Sequence, residues 1–441
     1  MLSDLRDRLG SPTARGLADA VGRAVGDGAL APGVRLPPIR EVATYLQLSP
    51  TTVSAAWQLL RRAGTIQTDG RRGTIVAPSR SGGPGRYRAA LRGRSGFPLD
   101  LSTGVPDPAL LPLFADIPLS SPSPSSYLDE PVLPELESFL RTTWPHPPER
   151  LAIFDGAMDA IDQIASGLLR LGDRAVVENP CFPPLLDLLE ALGVRVVPVE
   201  TDACGAVPSS LASALTEGPA AVFLQPRALN PTGASWSGSR AGSLAAVLAR
   251  SGAYVVEDDS AGDVASSGLE SLGRLLPSRT LHVRSFSKSH GPDLRLAAVS
   301  GPSTVLDPIL ERRLLGQGWT SRLLQTLLLR LLTLPGPVAA VRHARDAYAH
   351  RRATVLATLN DHGIVLPPGD GLNIWLPVRD EQAALLTLAA NGIAAAAGAA
   401  FTVGPGAPHL RVTTGLISTD HAAIAGLLAV AAQAPPRSSP R

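Results

Sequence analysis

Cysteine is scarce: Cys181 and Cys204 are the whole supply, which excludes a disulfide framework and a cysteine-based zinc site, and no metal site is expected. No stretch stays apolar for about 18 residues, the length a membrane-spanning helix needs. The opening Met1-Leu2-Ser3-Asp4-Leu5-Arg6 lacks the basic-then-apolar order of a secretory signal, so a cytoplasmic protein is expected. Lysine is scarcer still. Of 40 basic residues, 39 are arginine and one is Lys288. Where a positive charge suffices, this chain uses arginine. The surviving lysine is either a remnant of compositional drift or a group for chemistry that a guanidinium cannot perform, above all imine formation with an aldehyde.

What is present fits a folded chain of more than one unit: 441 residues, 44% apolar and 18% charged. The net charge of +2 hides an asymmetry. Residues 1–95 hold 15 arginines against 6 acidic residues, a balance of +9; the remainder therefore carries −7. A basic N-terminal module on an acidic body suggests that the first part meets a polyanion.

Residues 10–77 read as a compact domain. Leu17, Val21, Ala24 and Val25 stand at helical spacing. Pro37-Pro38 opens a second helix with Val42, Ala43 and Leu46, and Ser49 caps a third that begins at Pro50 and carries Val53, Trp57 and Leu60. A hairpin follows, from Thr65-Ile66-Gln67 through a turn at Asp69 to Gly73 into Thr74-Ile75-Val76. Three helices and a basic hairpin make a winged helix-turn-helix that places its third helix in the major groove of double-stranded DNA. Ser49, Thr51, Thr52 and Ser54 are the candidate base and phosphate contacts of that helix, Arg40 a phosphate contact, and Arg71, Arg72 and Gly73 the tip of the wing. The stretches 35–43, 48–53 and 73–76 resemble the GntR family of regulators. One departure is Pro50, where that family carries a DNA-touching arginine.

Residues 78–98, rich in Gly, Pro, Ser and Arg, read as a flexible cationic linker. From 99 to 435 short apolar strands (174–178, 194–199, 221–225, 254–257, 281–283) alternate with helical stretches. This is the pattern of an α/β domain with a parallel sheet covered on both faces; a large lobe over about 145–315 is followed by a smaller α/β lobe over about 320–435.

The surroundings of Lys288 are polar in a particular way. Ser285 and Ser287 flank it and Arg295 follows, donors suited to a phosphate dianion. Upstream, Glu257-Asp258-Asp259 ends a strand, where a carboxylate could hold a protonated pyridine nitrogen, and Asn230-Pro231-Thr232-Gly233 forms a turn whose asparagine could reach a phenolic oxygen. Gly156-Ala157-Met158 opens a helix whose free N–H groups suit a phosphate, and Phe182 could stack on a ring. Singly, each has a plainer explanation as turn, cap or packing. Together, at the ends of successive strands, they resemble the fold-type I, aspartate-aminotransferase-like proteins that use pyridoxal 5'-phosphate (PLP). Behind a GntR-type winged helix that architecture is the MocR subgroup of regulators.

The resemblance implies that Lys288 is the catalytic lysine bound to the cofactor aldehyde. Asp258 meets the pyridine nitrogen and Asn230 the phenolic oxygen. Ala157, Met158, Ser285, Ser287 and Arg295 hold the phosphate, and Phe182 stacks on the ring. Tyr127 reaches the site of a second subunit, which implies a homodimer. Arg411 falls where the family binds a substrate carboxylate; read alone, it is as easily an exposed strand arginine. The Asp-Asp pair is followed by Ser260, where MocR-like proteins carry a tyrosine, which removes one contact with the phenolic oxygen. The expected function is a DNA-binding regulator that senses an amine, an amino acid or PLP itself, with weak or no transamination. A working aminotransferase carrying an accessory DNA-binding module is the alternative, and a module binding neither cofactor nor DNA is a third.

Overall fold

The computed structural model describes residues 1–26, 29–30, 33–62, 66–69, 73–76, 86, 97–114, 117–118 and 130–435, with backbone alone at 26, 61, 62 and 67–69. Arg71, Arg72, Tyr127 and nearly all of the linker lie outside the described residues.

The N-terminal unit comprises α1 (Leu2–Asp7), α2 (Ala14–Gly26), α3 (Ile39–Leu46), α4 (Pro50–Arg62) and a hairpin of β1 (Ile66–Asp69) and β2 (Gly73–Val76). Leu17, Val21, Val42, Val53, Trp57 and Leu60 converge with Leu5 from α1 into one buried core, each aliphatic side chain contributing about 1.5–3 kcal/mol. Pro50 is the first residue of α4, and Ser49 Oγ accepts the Thr52 N–H at 2.9 Å, the expected N-cap. In the hairpin Ile66 pairs with Val76 and Asp69 with Gly73. Gly73 has φ +78°, a conformation strained for any other residue, and an added Cβ would also lie 3.0 Å from the Arg35 guanidinium, so glycine is favoured there.

The body begins with β3 (Leu99–Asp100) and builds an eight-stranded sheet in the order β4-β11-β10-β9-β8-β5-β6-β7. These strands are β4 (Arg150–Phe154), β5 (Arg174–Asn179), β6 (Arg195–Asp202), β7 (Gly205–Ala206), β8 (Ala221–Leu224), β9 (Tyr254–Asp259), β10 (Thr280–Ser285) and β11 (Ala297–Gly301). The five strands β6, β5, β8, β9 and β10 run parallel, as the apolar runs suggest. The sheet as a whole is mixed, which corrects the expected parallel sheet: β11 is antiparallel to both β10 and β4. The connection from Ser285 to Ala297 is too short for a parallel return over a full crossover helix. Because β4 is reversed twice relative to β10, its C-terminal end returns to the edge where the parallel strands end, and Phe154, Ala297 and Ser285 lie abreast.

The smaller lobe holds an antiparallel sheet of β12 (Asn373–Pro377), β15 (His409–Thr413) and β14 (Ala396–Ala397). It packs against the helices Pro335–Asp361, Glu381–Ala390 and His421–Ala432, while β13 (Ile393–Ala394) pairs with β3. Among the described residues no single helix is long and apolar enough to cross a membrane.

The two units touch. Gly22 of α2 faces Leu171 so closely that a Cβ would overlap its side chain, and Leu171 packs on the N-terminal core. Arg86 pairs with Glu190 at 2.8 Å. Between the units lies a cleft of about 670 Å3 lined by Arg15, Leu59, Leu171, Arg195 and Val403 among others.

Candidate cofactor site and DNA-binding face

A parallel sheet opens its ligand crevice at the carboxyl ends of its strands. Here those ends carry Glu178 (β5), Gln225 (after β8), Asp258 and Asp259 (β9) and Ser285 (β10). Lys288 stands just beyond β10 in the short helix Ser287–His290, and its Nζ donates to the Ser260 carbonyl at 3.2 Å. Burial holds its pKa below the usual lysine value; Asp258 opposes that shift and the Arg411 charge deepens it.

Asp258 is buried. Its Oδ2 accepts Gln225 Nε2 at 2.6 Å, while Oδ1 is buried without a hydrogen-bond partner. Burial raises its pKa, and the Gln225 hydrogen bond and the Lys288 charge pull against that. Asp259 beside it faces the other way, gripped at 2.8 Å by both Nε and Nη2 of Arg227. Burial would raise its carboxyl, but that guanidinium holds it below the usual range.

Asn230 is also buried; its N–H donates to Gln225 Oε1 at 2.7 Å and its Oδ1 accepts Asn373 Nδ2 at 3.5 Å. Phe182 stands at the start of the helix Pro183–Ala191 and lines a small cleft with Cys181, Gln225, Leu229 and Asp258.

Ala157 and Met158 form the first turn of the helix Ala157–Leu168, which has no side-chain cap at Gly156. Gly156 has φ +108°, and a Cβ there would sit 3.1 Å from Arg295 Nη2. Arg295 is itself left-handed at φ +50° and donates from Nη2 to the Asp155 carbonyl at 3.1 Å. Ser285 Oγ accepts the Ser287 N–H at 3.4 Å. The register of β4, β11 and β10 brings this helix N-terminus, Ser285, Ser287 and Arg295 to one corner of the sheet edge.

Arg411 is not an exposed strand arginine. It is fully buried in β15, donates to the Ser102 carbonyl and lies over the Phe401 ring at 5.1 Å. Gly104 (φ +69°) makes room for it, since a Cβ there would come within 2.7 Å of Nη1.

Two residues of this cluster escaped the sequence reading. Gln225 and Glu178 are the polar ends of otherwise apolar strands, and that is their sole signal. Glu178 accepts the N–H groups of Gln225 at 2.7 Å and Ala206 at 3.2 Å, and burial pushes its carboxyl up to about 8 against those two bonds.

On the winged helix, Arg40, Ser49 and Thr51 are exposed, and Thr52 and Ser54 half-buried. The Ser49 hydroxyl lies 2.7 Å from those of both Thr51 and Thr52, so the three form one polar cluster at the start of α4.

Residues 98–425 match the family "Aminotransferase class I and II", and residues 13–76 match "Bacterial regulatory proteins, gntR family". The chain is 38% identical over 413 residues to the vitamin B6 salvage pathway transcriptional repressor PtsJ of Salmonella typhimurium, covering 91% of this chain and 94% of that one. It is 28% identical over 415 residues to the HTH-type pyridoxine biosynthesis transcriptional regulator PdxR of Corynebacterium glutamicum, covering 89% of each. Its body shares a fold with the α-aminoadipate aminotransferase LysN of Thermus thermophilus, with TM-score 0.67 and 20% identity over 84% of this chain and 97% of that one. The chain belongs to the aminotransferase class I and II family and, with its gntR-type DNA-binding domain, to the MocR-like transcription regulators, with PLP as cofactor.

Proposed function

We propose that this regulator uses its aminotransferase-like body to sense an amine, an amino acid or PLP, holding the cofactor at Lys288. PLP, when bound, supplies an aldehyde that condenses with amines and a ring that withdraws electrons. The observation that carries the reading is that the chain's single lysine stands just beyond β10 while Asp258, at the end of the neighbouring β9, keeps a buried, unpartnered Oδ1. A pyridinium N–H is a donor of the kind such an oxygen lacks. Asn230 is assigned to the phenolic oxygen and Phe182 to the ring face. The N–H groups of Ala157 and Met158, the hydroxyls of Ser285 and Ser287, and the Arg295 guanidinium take the phosphate, where a helix N-terminus already favours an anion.

Arg411, buried and close enough to depress Lys288, takes the effector carboxylate. Burial and the Arg411 charge favour the neutral, nucleophilic form of the Lys288 amine relative to an ordinary lysine. Ser260 turns its hydroxyl to Gln225 Nε2 at 3.2 Å, which leaves Asn230 as the donor assigned to the phenolic oxygen and supports slow turnover. Tyr127 is assigned to the site of a second subunit in a homodimer.

The winged helix is assigned to duplex DNA, with Ser49, Thr51, Thr52 and Ser54 as base and phosphate contacts, Arg40 on a phosphate, and Arg71 and Arg72 beside Gly73 at the backbone or the minor groove. Borohydride reduction of the PLP-loaded protein followed by peptide mapping tests the cofactor assignment. The label is expected on the peptide containing Lys288; label elsewhere, or none, overturns the reading.

A further inference from the structure

Gln225 commits its backbone N–H and both ends of its side-chain amide to the network around the proposed cofactor site. Its backbone N–H donates to Glu178, its Oε1 accepts the Asn230 N–H, and its Nε2 donates to Asp258 Oδ2 at 2.6 Å and Ser260 Oγ at 3.2 Å. The orientation of the amide is not arbitrary. A backbone N–H can only donate, so Asn230 fixes Oε1 on its side and leaves Nε2 for the carboxylate. With Oδ2 occupied, the Asp258 carboxylate has one free oxygen, the buried Oδ1.

We infer that Gln225 is a positioning residue that locks the Asp258 carboxylate so that Oδ1 alone is offered to the ring nitrogen of PLP. A carboxylate with a free torsion would spread its charge over several orientations, and a hydrogen bond to an ionised group is worth more than a neutral one. The same donor favours the charged form of Asp258 against its burial. Glu178 anchors the backbone of Gln225 from the far side, so three strand ends share one network. The inference rests on the assignment of Asp258 to the ring nitrogen made above.

The test compares PLP with its 1-deaza analogue, in which carbon replaces the ring nitrogen, on the full chain stripped of cofactor. Affinity and the visible absorption band of the bound cofactor are read, with no turnover required. The wild-type chain is expected to prefer PLP over the analogue. Gln225→Leu is expected to bind PLP about tenfold more weakly, to shift the band of bound PLP, and to leave the affinity for the analogue within about twofold. Equal losses for both cofactors would show that Gln225 merely braces the strands, and no loss for either would equally overturn the inference. Asp258→Asn serves as the reference: should it keep the wild-type preference for PLP, the ring-nitrogen assignment itself fails, a different outcome from failure at Gln225. If Gln225→Leu does not fold, Gln225→Met, unbranched and of similar length, supports the same comparison.

Discussion

The winged helix and the proposed cofactor site place their polar groups under opposite physical regimes. In the first, Arg40, Ser49 and Thr51 are exposed on a helix start and hydrogen-bond within a few residues along the chain. In the second, Asp258, Asn230 and Arg411 are buried, and each hydrogen-bonds to a residue 33 to 309 positions away along the chain. An interface that must meet a wet polyanion stays solvated, while a site that must steer one small molecule withdraws its charges from water and fixes each with hydrogen bonds. The first is cheap to fold and tolerant of change; the second depends on a register that spans the whole body.

Histidine separates the two regimes most sharply. None of the eight histidines lies in residues 1–95, whereas in the body His146 and His290 are buried and burial lowers each to about 4. A histidine whose pKa is lower folded than unfolded binds more protons when unfolded, so stability falls as pH drops from about 6.5 towards 4. Glu178, raised to about 8 by burial, acts with the opposite sign from about 4.5 upward and offsets part of this for one proton of the two. The body is therefore expected to lose stability on the order of a few kcal/mol between pH 6.5 and 4. Thermal unfolding against pH, with the Trp57 domain and the body followed by separate probes, checks it; an equal loss in both would remove the contrast.

The wing gives a smaller effect on DNA alone. Arg71→Ala combined with Arg72→Ala is expected to flatten the slope of log K against log salt by about 1–2 units and to leave cofactor binding unchanged. Fluorescence anisotropy with duplex DNA over a salt series reads the slope, and an unchanged slope would place the hairpin away from the backbone. Smallest is Ser49→Ala, which removes the cap of α4 and should cost about 1 kcal/mol in the N-terminal domain alone. Denaturant unfolding that shows no change there, or a change in the body, would count against the local nature of that region.

The same contrast explains what could be read before folding. The start of α4 was legible because cap and helix are neighbours in sequence: Ser49 and Pro50 announce it, and the structure begins the helix at Pro50. Lys288, Asp258 and Asn230 were legible as residue types at strand ends, and they do converge on one edge of the sheet. Helix α1 was missed because six residues show no usable period, and β11 because Ala297-Ala298-Val299-Ser300-Gly301 is too bland to mark a strand, let alone its direction. Gln225 was missed for a deeper reason. Its partners Glu178 and Asp258 lie 47 and 33 residues away, and only the pairing of β5, β8 and β9 brings them together.

The central proposal is that the body senses an amine, an amino acid or PLP, with weak or no transamination. It is tested by rapid mixing of the PLP-loaded protein with a panel of amino acids and a keto acid acceptor, recording the visible spectrum and counting keto acid released per site. A prompt spectral change with the effector is predicted, with keto acid released at no more than about 0.1 per site per second, since a missing hydrogen bond to a developing charge typically slows such chemistry on the order of 100-fold from turnover of about 10 per second. Sustained release of many equivalents at rates of about 1 per second or more would contradict it and establish an aminotransferase that happens to carry a DNA-binding domain.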